Sequence, residues 1–318
     1  MKINPIINEK KPIRASLNKA LLHMGGLYPE LLLITDDLRD AIQCESFIEA
    51  YPDRFFDLGI AEQNMMGMAA GLASCGKIPF VVSYATFATI RVAEQLRNDV
   101  SYTNFNVKVV SLTTGVQFGQ GGMSHQTFED VSFMRALPNF TVLVPSDAIS
   151  TYKATVAAAE HRGPVFIRGG RDDEYQVYGN DCPFEIGGSN TLMQGDDIAL
   201  IACGFMVREA LVAAEILRSK GIRATVVDMY SIKPIDKKCL LEIANNCKAI
   251  LTIEEHFTAG GMGSAVLEAY SGRQHPPLKL KGINDEFPPI GPKFELREHL
   301  GLCADSIATE AAELLESI

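Results

Sequence analysis

The sequence predicts an α/β protein of two domains with mostly parallel sheets. Three observations predict it. The chain has 318 residues, more than one ordinary core organises. Short apolar runs alternate with helix-period stretches, the pattern of stacked βα units. Those runs are apolar on both faces, as strands covered by helices on each side must be.

In the first half, residues 31–35, 78–83, 107–113, 141–144 and 165–168 read as strands. Residues 61–75, 90–100, 126–136 and 147–161 read as the helices among them. After Arg168 the pattern breaks. GGRDDEYQVYGNDCPFEIGGSN, rich in Gly, Asp and Asn, reads as a linker. A second βα series follows, with strands at 198–203, 224–228 and 249–253 and helices at 205–220, 236–246 and 263–270. The chain closes on an amphipathic helix at 306–316.

Composition narrows the function classes. Apolar residues make up 47%, enough for large cores, and 29 basic against 39 acidic side chains give a net charge of −10. That balance suits a soluble protein and disfavours a nucleic-acid backbone binder, which wants a basic surface. No run of about 18 uninterrupted apolar residues reads as a membrane span. The opening MKINPIINEKKPIRASL lacks the apolar core of a secretory signal. The seven cysteines are odd in number and contain no C-x-x-C pair. They read as thiols in a reducing cytoplasm, where we expect the protein.

Four stretches carry chemistry. In FFDLGIAEQNMMGMAAGLASCG, Glu62 opens a helix rich in Gly, Ala and Met. A carboxylate there is either a helix N-terminal charge or a buried functional acid. Tyr84 and Phe87 stand at a strand end, spaced either for the core or for a pocket that takes a flat ring. Gly115, Gly119, Gly121 and Gly122 fall within eight residues, a loop that lets backbone approach a ligand closely. It is neither the dinucleotide fingerprint nor a P-loop. His125 ends that loop, on the carboxyl side of a strand where catalytic groups gather. Glu254, Glu255 and His256 are read as following a strand end. They are a conceivable metal set, although glutamates so placed more often cap helices or serve interfaces.

Taken in order, DLGIAEQN, SYATFATIRVAEQLRND, GGMSHQTFEDVSFMRALPN, DMYSIKPID and EEHFTAGGMGSAV resemble the C-terminal half of transketolase across nearly the whole chain. The form most resembled is the split enzyme of prokaryotes, made of two chains. 1-Deoxyxylulose-5-phosphate synthase and the beta subunit of 2-oxo-acid dehydrogenases share the architecture. The resemblance implies two three-layer α/β domains: a pyrimidine-binding domain at 1–170 and a transketolase C-terminal domain at 191–318, with 171–190 as linker.

It also implies roles. Glu62 would bond the aminopyrimidine ring of thiamine diphosphate and promote the tautomer whose nitrogen takes the thiazolium C2 proton. Tyr84 and Phe87 would wall that ring, and Arg91 and Asp37 would lie at the cofactor. His125 would contact substrate hydroxyls. Arg14 and Arg168 would hold a sugar phosphate. No metal is expected on this chain. The family's G-D-G and later asparagine, which hold the diphosphate and a divalent metal such as Mg2+, are missing. The resemblance therefore implies an N-terminal transketolase subunit as partner, in a heterotetramer built on self-dimerisation. Activity would require that partner.

The implied reaction moves a two-carbon ketol unit from a ketose phosphate to an aldose. The alternatives are a 2-oxo-acid dehydrogenase beta subunit or a non-catalytic subunit of the same fold. Ala41, Thr113 and Gly121 replace a serine, a histidine and an aspartate of the family pattern, which suggests a non-standard sugar. Gln63 replaces a histidine but is shared with the related families.

Overall fold

The computed structural model describes residues 9–318. Its strands are β1 (Lys10–Pro12), β2 (Leu31–Thr35), β3 (Phe55–Asp57), β4 (Ile78–Tyr84), β5 (Lys108–Leu112), β6 (Thr141–Leu143), β7 (Val165–Arg168), β8 (Asp173–Tyr175), β9 (Asn190–Met193), β10 (Ile198–Ala202), β11 (Ala224–Asp228), β12 (Ser231–Lys233), β13 (Ala249–Phe257) and β14 (Leu278–Ile283). One sheet runs β12-β6-β7-β5-β4-β2-β3 and the other β14-β13-β10-β11-β9. Only β12 and β9 run antiparallel within them. The fully buried runs of β2, β5, β7, β10 and β11 are what a sheet covered on both faces requires.

The helices show why sequence periodicity found most of them. In Glu62–Ser74 the residues Met65, Met66, Ala69, Ala70 and Ala73 are buried, one face of a 3.6-residue repeat. The helix Ala148–Glu160 starts where Asp147 accepts from the Ser150 amide at 2.7 Å, while the Ser150 hydroxyl accepts from the Asp147 amide at 2.9 Å. This reciprocal cap supplies otherwise missing helix-end partners.

Four readings change. The stretch 90–100 is broken rather than one helix, with a 3-10 turn Ile90–Val92, a short α segment Ala93–Gln95 and a π turn Leu96–Ser101. Thr89 leaves helical geometry at φ −121°, ψ −78°, amid β-branched neighbours that crowd a helical turn. The helix expected from 126 begins only at Asp130. Gln126 spends its amide on Gly119 O and Pro289 O, and Thr127 bridges to Gly115. The strand expected to end at 253 continues to Phe257, so Glu254, Glu255 and His256 lie inside β13. The helix Ile13–Leu27 and strands β1, β3, β8, β9, β12 and β14 were not anticipated.

The segment 171–190 is packed. Its β8 pairs with β1, and Gln176, Val177 and Tyr178 are buried. Asp147 accepts from the Val177 and Tyr178 amides, both at 2.9 Å, and the Tyr178 hydroxyl donates to Asp228 at 2.6 Å. The segment thus joins the two sheets. A continuous apolar core does the same, placing Val142, Val144 and Phe166 with Ile201, Val227 and Ile232.

Candidate active site

The carboxyl ends of parallel strands in the larger sheet converge on one cluster, where open α/β sheets place their ligand sites. Glu62 follows β3, Tyr84 ends β4, Phe87 and Arg91 follow it, His125 follows β5, and Arg171 follows β7. Glu62 is the first residue of its helix and only 6% exposed. Ala61 before it has no side chain to cap the helix, so the carboxylate sits at the positive end of the dipole. One of its oxygens, Oε1, is held by Arg91 in a short ion pair. The Arg91 guanidinium lies 4.0 Å from the Phe87 ring centroid, a cation–π contact that orients it.

Three rings meet His125 edge-on or nearly so: Phe118 at 5.3 Å, Phe87 at 5.4 Å and Tyr84 at 5.7 Å between centroids. Gly121 makes room for this, since a Cβ there would lie 2.8 Å from the His125 Cβ. The aspartate of the family pattern could not occupy that position without moving the histidine. Burial, then Arg171, then Arg91 lower the His125 pKa below 6.5. The imidazole is therefore neutral near neutral pH and can accept or donate a hydrogen bond.

Two arginines approach from the other side. Arg14 donates to Ala41 O at 2.7 Å, and Arg171 lies 4.3 Å from the Phe118 ring centroid. The Nε atoms of both are buried without a partner. Burial and the Arg171 charge lower the Arg14 pKa against the opposing pull of Asp172, Tyr84 and Asp173, so two like charges stand together. Sequence reasoning missed Arg171. Its only signal was a second arginine three residues beyond Arg168, inside a stretch read as linker.

Arg168 departs from expectation. It is 5% exposed, its Nε donates to Asp130 at 2.8 Å, and another nitrogen donates to Thr127 O and Glu255 O. All this happens between the sheets. A guanidinium so committed is not free for a substrate phosphate, and the assignment of that role to Arg168 is corrected on this geometry.

Asp37 stands on an exposed turn after β2 at φ 63°, its amide held by Asp57 at 2.8 Å. Among the described residues no side-chain bond links it to the cluster. Its neighbour Asp36 is buried instead. It accepts from the Ser83 hydroxyl at 2.6 Å, and burial pushes its pKa up to about 7. Thr113, at the family histidine position, holds φ 58° with its buried hydroxyl unpartnered. Such backbone strain concentrates near functional sites.

The acidic pair of β13 caps and bridges. Glu254 accepts from the amides of Met262 and Gly263 at the head of the helix Met262–Tyr270. Glu255 joins Val116 and Arg297. His256 donates from Nδ1 to Phe257 O at 2.7 Å and accepts at Nε2 from the Ser132 amide at 3.3 Å, a satisfied neutral ring. No group of three metal-binding side chains occurs among the described residues, and no helix there is long and apolar enough to cross a membrane.

Burial drives the His256 pKa down to about 4 from 6.5. As pH falls, the unfolded chain therefore takes this proton first. The stability the neutral ring provides is present above 6.5 and lost towards 4. The stability difference between the native chain and His256→Leu should shrink by about 3 kcal/mol across that window. Denaturant titrations at several pH values would check this, and a constant difference would contradict it.

The same two domains recur in known proteins. The family model for the transketolase pyrimidine binding domain matches residues 9–174, and that for the transketolase C-terminal domain matches 187–307. The chain is 41% identical over 307 residues to a putative transketolase C-terminal section of Methanocaldococcus jannaschii, covering 95% of this chain and 96% of that protein. It is 36% identical over 305 residues to one of the subunits of the apulose-4-phosphate transketolase of Phocaeicola vulgatus, covering 95% and 97%. Among solved structures, a split-gene transketolase described as an inactive beta4 tetramer superposes with TM-score 0.88 at 40% identity, covering 97% of this chain and 99% of that one.

Proposed function

The chain belongs to the transketolase family, and from that premise we propose that it is the pyrimidine-gripping subunit of a two-chain transketolase. The pair would bind thiamine diphosphate between them and move a two-carbon ketol unit from a ketose phosphate to an aldose. The partner would carry the diphosphate and its divalent metal.

One observation carries this reading: the buried Glu62 carboxylate is anchored at one oxygen by Arg91, whose guanidinium lies against Phe87 in the ring cluster with Tyr84 and His125. A carboxylate acceptor beside aromatic faces fits an aminopyrimidine ring. Glu62, Tyr84, Phe87 and Arg91 would hold it. Bound thiamine diphosphate supplies the electron sink for carbon–carbon cleavage. Glu62, itself buried, would share a proton with the ring. Arg91 keeps Oε1, leaving Oε2 for the ring. The neutral His125 meets a substrate hydroxyl. Arg14 and Arg171 would receive an anionic tail whose charge offsets their mutual repulsion. The losses at Ala41, Thr113 and Gly121 leave fewer polar contacts along the sugar, which supports an acceptor other than the usual pentose phosphates.

The test is reconstitution with the chain that carries the diphosphate-binding motif. The pair should turn over ketose phosphate, and this chain alone should not. Full turnover by the single chain would overturn the reading. So would activity on a 2-oxo acid and a lipoyl carrier with none on ketose phosphates. In the active pair, Arg171→Ala should raise KM for a phosphorylated substrate ~10-fold or more, the worth of a charged hydrogen bond. It should also move the acid limb of the pH profile upward, because a positive neighbour of His125 is gone. An unchanged KM would return the anion site to some other residue.

A further inference from the structure

The loop that carries His125 is tied to the second domain at its start, middle and end. At the start, the Val116 amide donates to Glu255 Oε1 at 2.8 Å. The other oxygen of that carboxylate accepts from Arg297 Nε at 2.5 Å. Arg297 lies on the helix Lys293–His299, and both side chains are buried. In the middle, the Gly291 amide donates to Gly119 O at 3.3 Å, and the Gln126 side chain reaches Pro289 O at 3.1 Å. At the end, the Phe257 amide donates to Phe128 O at 3.0 Å.

The fit has no slack. A Cβ at Gly115 would lie 2.1 Å from Glu255 Oε1, and one at Gly119 would lie 2.4 Å from the Gly291 carbonyl oxygen. Gly115 and Gly119 are therefore small because the second domain presses against them. Glu255 acts as a two-ended strut, with one oxygen on the loop backbone and the other on the second domain.

We propose that Glu255 and Arg297 are positioning residues for His125, and that the C-terminal domain sets catalysis through them without touching substrate. The proposal rests on the reading of His125 as a substrate-contacting group. Charge-assisted bonds are strong and directional in a buried site. A displacement of about 1 Å at a reacting group costs on the order of 10²-fold in rate. Losing the strut would free the loop by such amounts while leaving the cofactor residues after β3 and β4 in place.

The experiment uses the two-chain complex with Glu255→Gln, Arg297→Met and Arg297→Lys. The first two should lower kcat by ~10²-fold, with thiamine diphosphate affinity measured calorimetrically unchanged. Arg297→Lys, which keeps the charge, should recover part of the loss, and it carries the test if the methionine variant does not fold. In a His125→Ala background the same changes should cost little more, because groups acting as a unit are not additive. Equal fractional losses in both backgrounds, or full turnover in the variants, would overturn the proposal. Amide exchange should quicken across 116–128 in Glu255→Gln while β5 and β13 stay protected. If the wild-type pair turned over no ketose donor, the functional reading would have failed instead. Exchange would then decide the strut alone, and unchanged protection would refute it.

Discussion

Glu62→Gln is expected to lower turnover of the assembled pair by ~10²-fold or more, the contribution typical of a positioned acid–base group. The substitution is nearly isosteric. The glutamine oxygen can still accept from Arg91, so Arg91 keeps its place at the helix head and its contact with Phe87. The lost part is a carboxylate able to share a proton with a ring nitrogen. Circular dichroism and thermal unfolding should be nearly unchanged, and cofactor affinity should fall. A non-catalytic subunit of the same fold would lose nothing measurable. Turnover within twofold of wild type would therefore remove the proposed chemistry from this residue.

Arg168→Ala is expected to act on stability, by ~3–5 kcal/mol, the usual cost of leaving a buried charge without its partner. Asp130 is fully buried and its Oδ1 already lacks a hydrogen-bond partner. Removing the guanidinium would strand the carboxylate and free the carbonyls of Thr127 and Glu255. Adding Asp130→Leu to Arg168→Met should recover part of the loss, because an apolar pair leaves no charge unpaired. Denaturant midpoints measure both. If Arg168→Ala folded with wild-type stability but showed a raised KM for phosphorylated sugars, the phosphate role would return to Arg168 and the role of Arg171 would be refuted.

These two arginines mark where the sequence was legible and where it was not. The βα alternation located most of the buried strands because burial on both faces leaves an apolar run. It located most of the long helices whose burial follows the 3.6-residue repeat, but not Ile13–Leu27, whose buried Ile13, Leu17, Ala20, Leu21 and Met24 follow it too. Glu62, Tyr84, Phe87, Arg91 and His125 were visible because each lies in a stretch that resembles the family, and the structure links them in one chain of contacts. Arg168 and Arg171 differ by less than one turn of chain. Which one faces the cleft depends on where β7 ends and on Asp130, 38 residues away. The short strands β1 and β8 pair across 163 residues, and local composition carries no trace of such a pairing. The helix start at Asp130 rather than 126 has the same origin, since Pro289 claims the Gln126 amide.

Strand β12 belongs in sequence to the second half yet pairs antiparallel with β6 at the margin of the first sheet. Dissecting the protein at 190 would therefore strip that margin and leave the ladder groups of β6 open to any passing strand. A recombinant fragment ending there should self-associate, and one beginning there would carry an orphan strand. The halves so readily told apart by eye are a single unit for expression, and deletion studies of either half would report on aggregation before they reported on chemistry.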